Sequence, residues 1–236
     1  MADIELWFID LERASAALEA IETETLGLAD VDKARLDAMT NAAARRERRL
    51  AYIALRILLE RRCGPSIRRQ PFSRSKTGKP SLASGAASLS LAHTRGCALI
   101  ALADDGLLGV DIERMRRVKM ADARRRPIEQ AAVALASGKP LAGEGADSRF
   151  LSAWVRIEAV AKAQGIGVGP ILERLRPGGE GAAALNPLDA GSEIVAHDVA
   201  LEDGLFAAVA LAPGRAPPEP RTMPHTAAAI RPLMRP

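Results

Sequence analysis

"GLLGVDIERM", residues 106–115, sets two acids, Asp111 and Glu113, one position apart at the end of an apolar run, with basic residues directly after. In a strand, residues i and i+2 share a face, so the two carboxylates point together while Ile112 turns back into the core. Side-by-side like charges repel, which calls for something positive between them. Just upstream, "SLSLAH" (88–93) and "CALIALA" (97–103) read as two more strands. Short turns separate them from "LLGVDIE" (107–113), and an antiparallel meander is the expected arrangement.

Outward from this stretch, "IELWFIDLE" (4–12) reads as a first strand and Asp30 to about Arg62 as helix in two pieces, closed by Gly64 as C-cap. "QPFSRSKTGKPSLASGAA" (70–87) is a turn-rich loop. Beyond the arginine-rich segment 114–126, "PIEQAAVALA" (127–136) reads as helix, and "RFLSAWVRIEAVAKAQGIG" (149–167) as an amphipathic helix ending at Gly165. After a Gly/Pro-rich stretch, "EIVAHDVA" (193–200) and "GLFAAVALA" (204–212) form a closing hairpin. From Pro213 the chain holds seven prolines in 24 residues and no apolar period, so this tail is expected to be disordered. Strands and helices segregate rather than alternate, which predicts an α+β fold. Its parts are an N-terminal half at 1–105, a C-terminal half at 106–212 and the tail at 213–236.

The 236 residues, 48% of them hydrophobic, suffice for a sizeable core. No apolar run approaches the roughly 20 residues that span a bilayer, and the first residues carry acids where a signal peptide is basic, so a cytoplasmic protein without a membrane partner is expected. Cys63 and Cys97 make neither a disulfide framework nor a metal cluster. The formal charge is +4 and the cations are mostly arginine, which suits an anionic partner: nucleic acid, a phosphorylated ligand or an acidic protein. Aromatic residues at 3% leave few platforms for stacking bases, which argues against nucleic acid.

Four separated segments carry polar groups that a fold alone does not demand: "TGKP" (77–80), "SLAHT" (90–94), "GVDIE" (109–113) and "WVRIEAVAK" (154–162). On the last, Glu158 and Lys162 are four apart on a helix, share a face and can pair. In order and type the set resembles the 4'-phosphopantetheinyl transferases of the surfactin-synthetase-activating kind. Their pattern is G-K-P, then N-x-S-H-S, then G-x-D-x-E, then W-x-x-K-E-A-x-x-K, with a basic L-R helix upstream. Here these are Gly78-Lys79-Pro80, His93-Thr94, Gly109-Val110-Asp111-Ile112-Glu113, and Trp154, Glu158, Ala159 and Lys162; "ALRILLE" (54–60) resembles the L-R helix through Arg56. The resemblance covers residues 4–212. A second "GKP", Gly138 to Pro140, has no family counterpart and reads as a C-cap and turn.

The resemblance implies two pseudo-symmetric α/β halves with the coenzyme in the cleft between them. It also implies a magnesium-dependent transfer of the 4'-phosphopantetheine arm of coenzyme A to a serine of an acyl or peptidyl carrier protein, releasing 3',5'-ADP, by a monomer. Asp111, Glu113 and Glu158 match the Mg²⁺ ligands, a set of oxygen donors suited to a hard cation. Asp111, Glu158 and Lys162 match the catalytic positions, with Lys162 on the phosphates, and either Glu158 or a water on the metal takes the serine proton. Lys79, His93, Thr94, Arg49 and Arg56 match positions that hold the coenzyme, His93 near its 3'-phosphate. The chain departs from the pattern at Ile157, where the family has lysine, and at Ser90 and Ala92, which replace an asparagine and a serine. Arg95 or an arginine from 114–126 is a candidate to compensate. Two alternatives remain from the residues: a divergent homologue that binds coenzyme A or a carrier without efficient transfer, and an arginine-rich nucleic-acid-binding protein.

Overall fold

A computed structural model of the chain describes residues 4–75, 77–175 and 194–234. Two compact units form, Met1–Asp105 together with Arg221–Pro236, and Gly106–Pro220. Both mix helix and strand, in keeping with an α+β chain.

The first unit opens with β1 (Glu5–Asp10), whose last residue caps α1 (Leu11–Thr25): the Asp10 carboxylate accepts from the Glu12 and Arg13 amides at 3.1 and 2.9 Å. Leu11, Ala14, Leu18 and Ile21 of α1 recur at helical spacing and are buried, a helix absent from the sequence expectation. The expected two-piece helix is α2 (Asp30–Asp37) and α3 (Ala42–Cys63), with Asn41 capping α3 and Gly64 ending it at φ +81°. The turn-rich loop contains a short hairpin, β2 (Phe72–Arg74) with β3 (Pro80–Leu82). Then β4 (Ser88–Thr94) and β5 (Cys97–Ala103) pair antiparallel.

The meander stops there. All seven residues of β5 are buried, as in a strand covered on both faces, and its second edge is taken by β1, antiparallel, rather than by the next strand. The exposed turn Asp104–Gly106 leads instead into the second unit. There β6 (Leu108–Arg114) is followed by α4 (Asp122–Leu135), α5 (Ala146–Gln164), α6 (Gly169–Arg174), β7 (Val195–Asp198) and β8 (Leu205–Leu211). The sheet order is β6-β8-β7, all antiparallel, so β7 and β8 form the expected hairpin. The Gly/Pro-rich stretch before it lies outside the described residues. The second "GKP" does sit in a turn just past α4, with Gly138 at φ +83°.

The tail returns to the first unit. β9 (Arg221–Thr222) pairs parallel with β1, giving the order β4-β5-β1-β9, and α7 (Ala227–Ile230) and a 3-10 turn at Arg231–Met234 follow. Met223 and Ile230 are fully buried in the core formed by α1, α3 and the sheet. The expectation of disorder from Pro213 onward therefore fails: the prolines punctuate the tail without preventing a few apolar anchors from docking, each worth about 1.5–3 kcal/mol when buried. Among the described residues no helix is long and apolar enough to cross a membrane.

Candidate functional site

In the second unit, alternation along β6 buries Leu108, Val110 and Ile112 and leaves Gly109, Asp111 and Glu113 on the other side. That side faces α5. A Cβ on Gly109 would stand 1.9 Å from the Ala159 carbonyl oxygen and 2.5 Å from the Ala163 amide nitrogen, so the helix backbone rests directly on the strand. The neighbouring strand supplies Ala208 and Ala210 opposite Asp111 and Gly109, small residues that keep the approach open.

With Ala159 and Ala163 seated on Gly109, Glu158 and Lys162 come over the strand's carboxylates. Lys162 Nζ donates to Asp111 Oδ1 at 2.6 Å across 51 positions of sequence and stands 3.8 Å from Glu158 Oε2. The Asp111 and Glu158 oxygens are therefore no farther apart than those two lengths end to end. Glu113 turns to Arg116, whose guanidinium donates to both its oxygens at 3.3 and 3.2 Å. The positive partners demanded by the acid pair are protein cations here. At Asp111 the cation does not offset burial. Burial pushes the Asp111 carboxyl up to about 7, against the pull of Lys162, and the charges of Glu158 and Glu113 push the same way as burial.

Among the described residues no group of three or more His, Cys, Asp or Glu side chains stands arranged to hold a metal. Asp111, Glu113 and Glu158 nonetheless suit a magnesium ion in donor chemistry, since all are carboxylates, and Glu158 and Glu113 add their charges to burial in raising the Asp111 carboxyl. In this arrangement the Lys162 ammonium stands between the Asp111 and Glu158 carboxylates.

Ile157, at the family's lysine position, is fully buried in the second core. Arg156 offers no replacement. It is also fully buried, paired with Asp198 at 2.6 and 2.8 Å and donating to the carbonyls of Ala132, Lys139 and Pro140, so it ties α5 to β7 and to the second "GKP" turn. In the arginine-rich segment Arg125 is likewise internal, bonded to Asp147 and to the carbonyls of Val118, Met120 and Ala146, while Arg117, Arg124 and Arg126 are exposed.

In the first unit, two of the expected segments meet the same end of α3. Glu47 accepts the Gly96 amide at 3.3 Å, which sets the β4–β5 turn, with His93 and Thr94, beside the helix start. Arg74 donates to the Tyr52 hydroxyl at 2.8 Å and to the Gly78 carbonyl at 3.2 Å, which sets the hairpin tip carrying Lys79 beside the next turn. Ser90 and Ala92, where the family pattern is altered, are both buried within β4. Arg35, Leu36, Met39, Arg48, Tyr52 and Arg74 line a groove of about 200 Å³. Arg74 Nε is buried there with no hydrogen-bond partner among the described residues. Three guanidinium forks around one groove suit a phosphate.

Two of the expected coenzyme contacts fall elsewhere. Arg49, about 100° round the helix from Arg48, is held by Glu19 of α1 in a two-pronged pair at 2.8–3.3 Å. Arg56 is 3% exposed and is spent on Asp32 at 3.2 Å, on the carbonyls of Ile67 and Gln70, and against the Phe72 ring, so its charge organises the interior rather than a ligand. The stripe Arg48, Tyr52, Arg56 runs from the exposed start of α3 into the core, and only its first member opens outward. Arg35 and Arg74 were missed because each is a lone arginine in sequence; what joins them is their shared approach to Asp32, at 3.8 and 3.5 Å. In comparison with known proteins, no family model and no curated protein matches the chain.

Proposed function

We propose that the chain is a 4'-phosphopantetheinyl transferase that moves the phosphopantetheine arm of coenzyme A to a serine of an acyl or peptidyl carrier protein, using magnesium and releasing 3',5'-ADP. The observation that carries this reading is the convergence of Asp111, Glu158 and Lys162 from two segments 51 positions apart onto one face, with Gly109 pressed against the helix that brings them.

In this reading Asp111, Glu113 and Glu158 hold the magnesium ion, which when bound supplies charge stabilisation to the diphosphate. Lys162 exchanges its contact with Asp111 for a diphosphate oxygen and orients the phosphorus for in-line attack. Of the three carboxylates, the Glu158 side chain is the most open, at 27% against 19% for Glu113 and 9% for Asp111, and it takes the proton of the attacking serine. The serine oxygen then bonds to the β-phosphorus as the bond to 3',5'-ADP breaks. In the first unit, the groove lined by Arg35, Arg48 and Arg74 is suited to a phosphate group of the coenzyme.

The test is mass spectrometry of an apo carrier protein incubated with the chain, coenzyme A and Mg²⁺. A gain of one phosphopantetheine arm that a chelator abolishes and Glu158→Gln slows by about 10²-fold or more is expected; no gain on any of several carriers overturns it. A second reading, a coenzyme-binding homologue without efficient transfer, is favoured by the inward turn of Arg156 and the burial of Ile157. It predicts measurable coenzyme A binding by calorimetry with no mass gain.

A further inference from the structure

Arg56, Glu22 and Glu60 lie inside the first unit at 3%, 4% and 3% exposure, and none of them serves the reaction proposed above. Arg68 holds Glu60 with a two-pronged pair at 2.7 and 2.5 Å. The other two are served less well. Arg56 spends its terminal N–H groups on Asp32 and two carbonyls, yet its Nε–H is buried with no hydrogen-bond partner among the described residues. The Glu22 carboxylate accepts one backbone amide, that of Leu28, shared between its oxygens at 3.3 and 3.2 Å. A buried donor of a charged group left unmade is costly, and so is an under-used carboxylate.

Both groups line one small cavity, with Gly27, Ile53, Ile67 and, from the returning tail, Met234. About 10 Å³ of it is open to the centre of a water molecule, roughly what a single water needs. Gly27 keeps the space: a Cβ there would stand 3.5 Å from Glu22 Oε2 and 3.6 Å from Arg56 Cβ, ordinary contact that would occupy the gap.

We propose that one ordered water fills this cavity, accepting the Arg56 Nε–H and donating to the Glu22 carboxylate, and so bridges α1 to α3 beneath the tail. Thr25, Glu60 and Arg68 also line the cavity, but Arg68 and Glu60 are paired with each other and the Thr25 hydroxyl donates to the Ile21 carbonyl, which leaves Arg56 Nε and the Glu22 carboxylate as the groups in need of the water. Gly27 sits outside the left-handed region and a Cβ there meets Glu22 Oε2 and Arg56 Cβ at ordinary contact distance, so Gly27→Ser is a substitution that takes up room in the cavity without backbone strain.

A high-resolution crystal structure of the full chain, with water-to-protein nuclear Overhauser measurements on the Arg56 Hε, tests this. One density peak within hydrogen-bond distance of both Arg56 Nε and a Glu22 oxygen is expected, with an Overhauser contact to a long-lived water that Gly27→Ser abolishes. An empty cavity, a Glu22 oxygen bonded directly to Nε, or an Hε in rapid exchange with no such contact overturns the proposal.

Discussion

Asp32 and Asp111 are both buried aspartates, one in each unit, and their surroundings are opposite. Asp32, wholly inaccessible, has Arg56, Arg74 and Arg35 within 3.2, 3.5 and 3.8 Å. Asp111 has one ammonium at 2.6 Å and two further carboxylates whose charges it feels. Several cations around one carboxylate make a knot that holds α2, α3 and β2 together. At Asp111 two carboxylates, its own and that of Glu158, share the one ammonium of Lys162, while Glu113 has Arg116. In the first unit cations outnumber the carboxylate they surround; in the second, carboxylates outnumber the ammonium between them.

The largest effect that would break this contrast is at the knot. Asp32→Asn leaves the inward-turned Arg56 without its ion pair and should lower stability by about 3–5 kcal/mol in denaturant unfolding. A loss near zero would mean the arginines are satisfied without it, and the contrast with Asp111 would fall. Slightly smaller is the effect on the scaffold of the acidic site: Gly109→Ala drives a methyl into the α5 backbone, which cannot rotate away as a side chain could. A loss of roughly 3 kcal/mol is expected by the same measurement. Conversely, an unchanged midpoint would show that the helix does not rest on the strand, and the convergence of Glu158 with Asp111 would lose its cause.

Between the two helix-α3 arginines the contrast sharpens further. Arg48→Ala should weaken coenzyme A binding about tenfold or more, the scale of one lost charged hydrogen bond. Arg49→Ala breaks the half-buried pair with Glu19, a contact within the fold, and should leave the affinity within about twofold. Titration calorimetry on both variants decides it, and equal losses would return Arg49 to the ligand site.

Much of this arrangement was legible in the linear chain. The acid pair on one strand face, the helix that ends at Gly165 and the pairing of Glu158 with Lys162 follow from periods of 2 and 3.6, which local sterics enforce. What stayed hidden depended on neighbours. Helix α1 shows Leu11, Ala14, Leu18 and Ile21 at helical spacing, a signal present but overlooked beside a strong strand. That β5 would choose β1 over β6 rests on pairing across some ninety residues, which no local pattern encodes. The tail's docking turns on Met223 and Ile230, two isolated apolar residues in a proline-rich composition. The arginines divide the same way: sequence marks a basic helix start, and only packing decides that Arg48 opens outward while Arg49 and Arg56 turn to carboxylates.

The effect that bears most directly on Asp111 is a dependence of stability on pH. Its carboxyl keeps a proton up to about pH 7 when folded but releases it near pH 4 when unfolded, so between these values the folded state binds more protons. Stability therefore falls as pH rises from about 4 to about 7 and is level above, a slope of roughly 1–2 kcal/mol across pH 5 to 7. Asp111→Asn carries no such proton and should lose that part of the slope, so the two unfolding curves converge at low pH and part at high pH. Magnesium should act in the opposite sense: a cation among the three carboxylates favours the ionised form, so the ion raises the melting temperature more at pH 8 than at pH 5, and not in Asp111→Asn. Parallel pH profiles for the two proteins would show that Asp111 is ionised throughout, with Lys162 alone sufficient to balance it. The charge of Asp111 would then be paired as that of Asp32 is, and the reason to place a metal beside it would be gone.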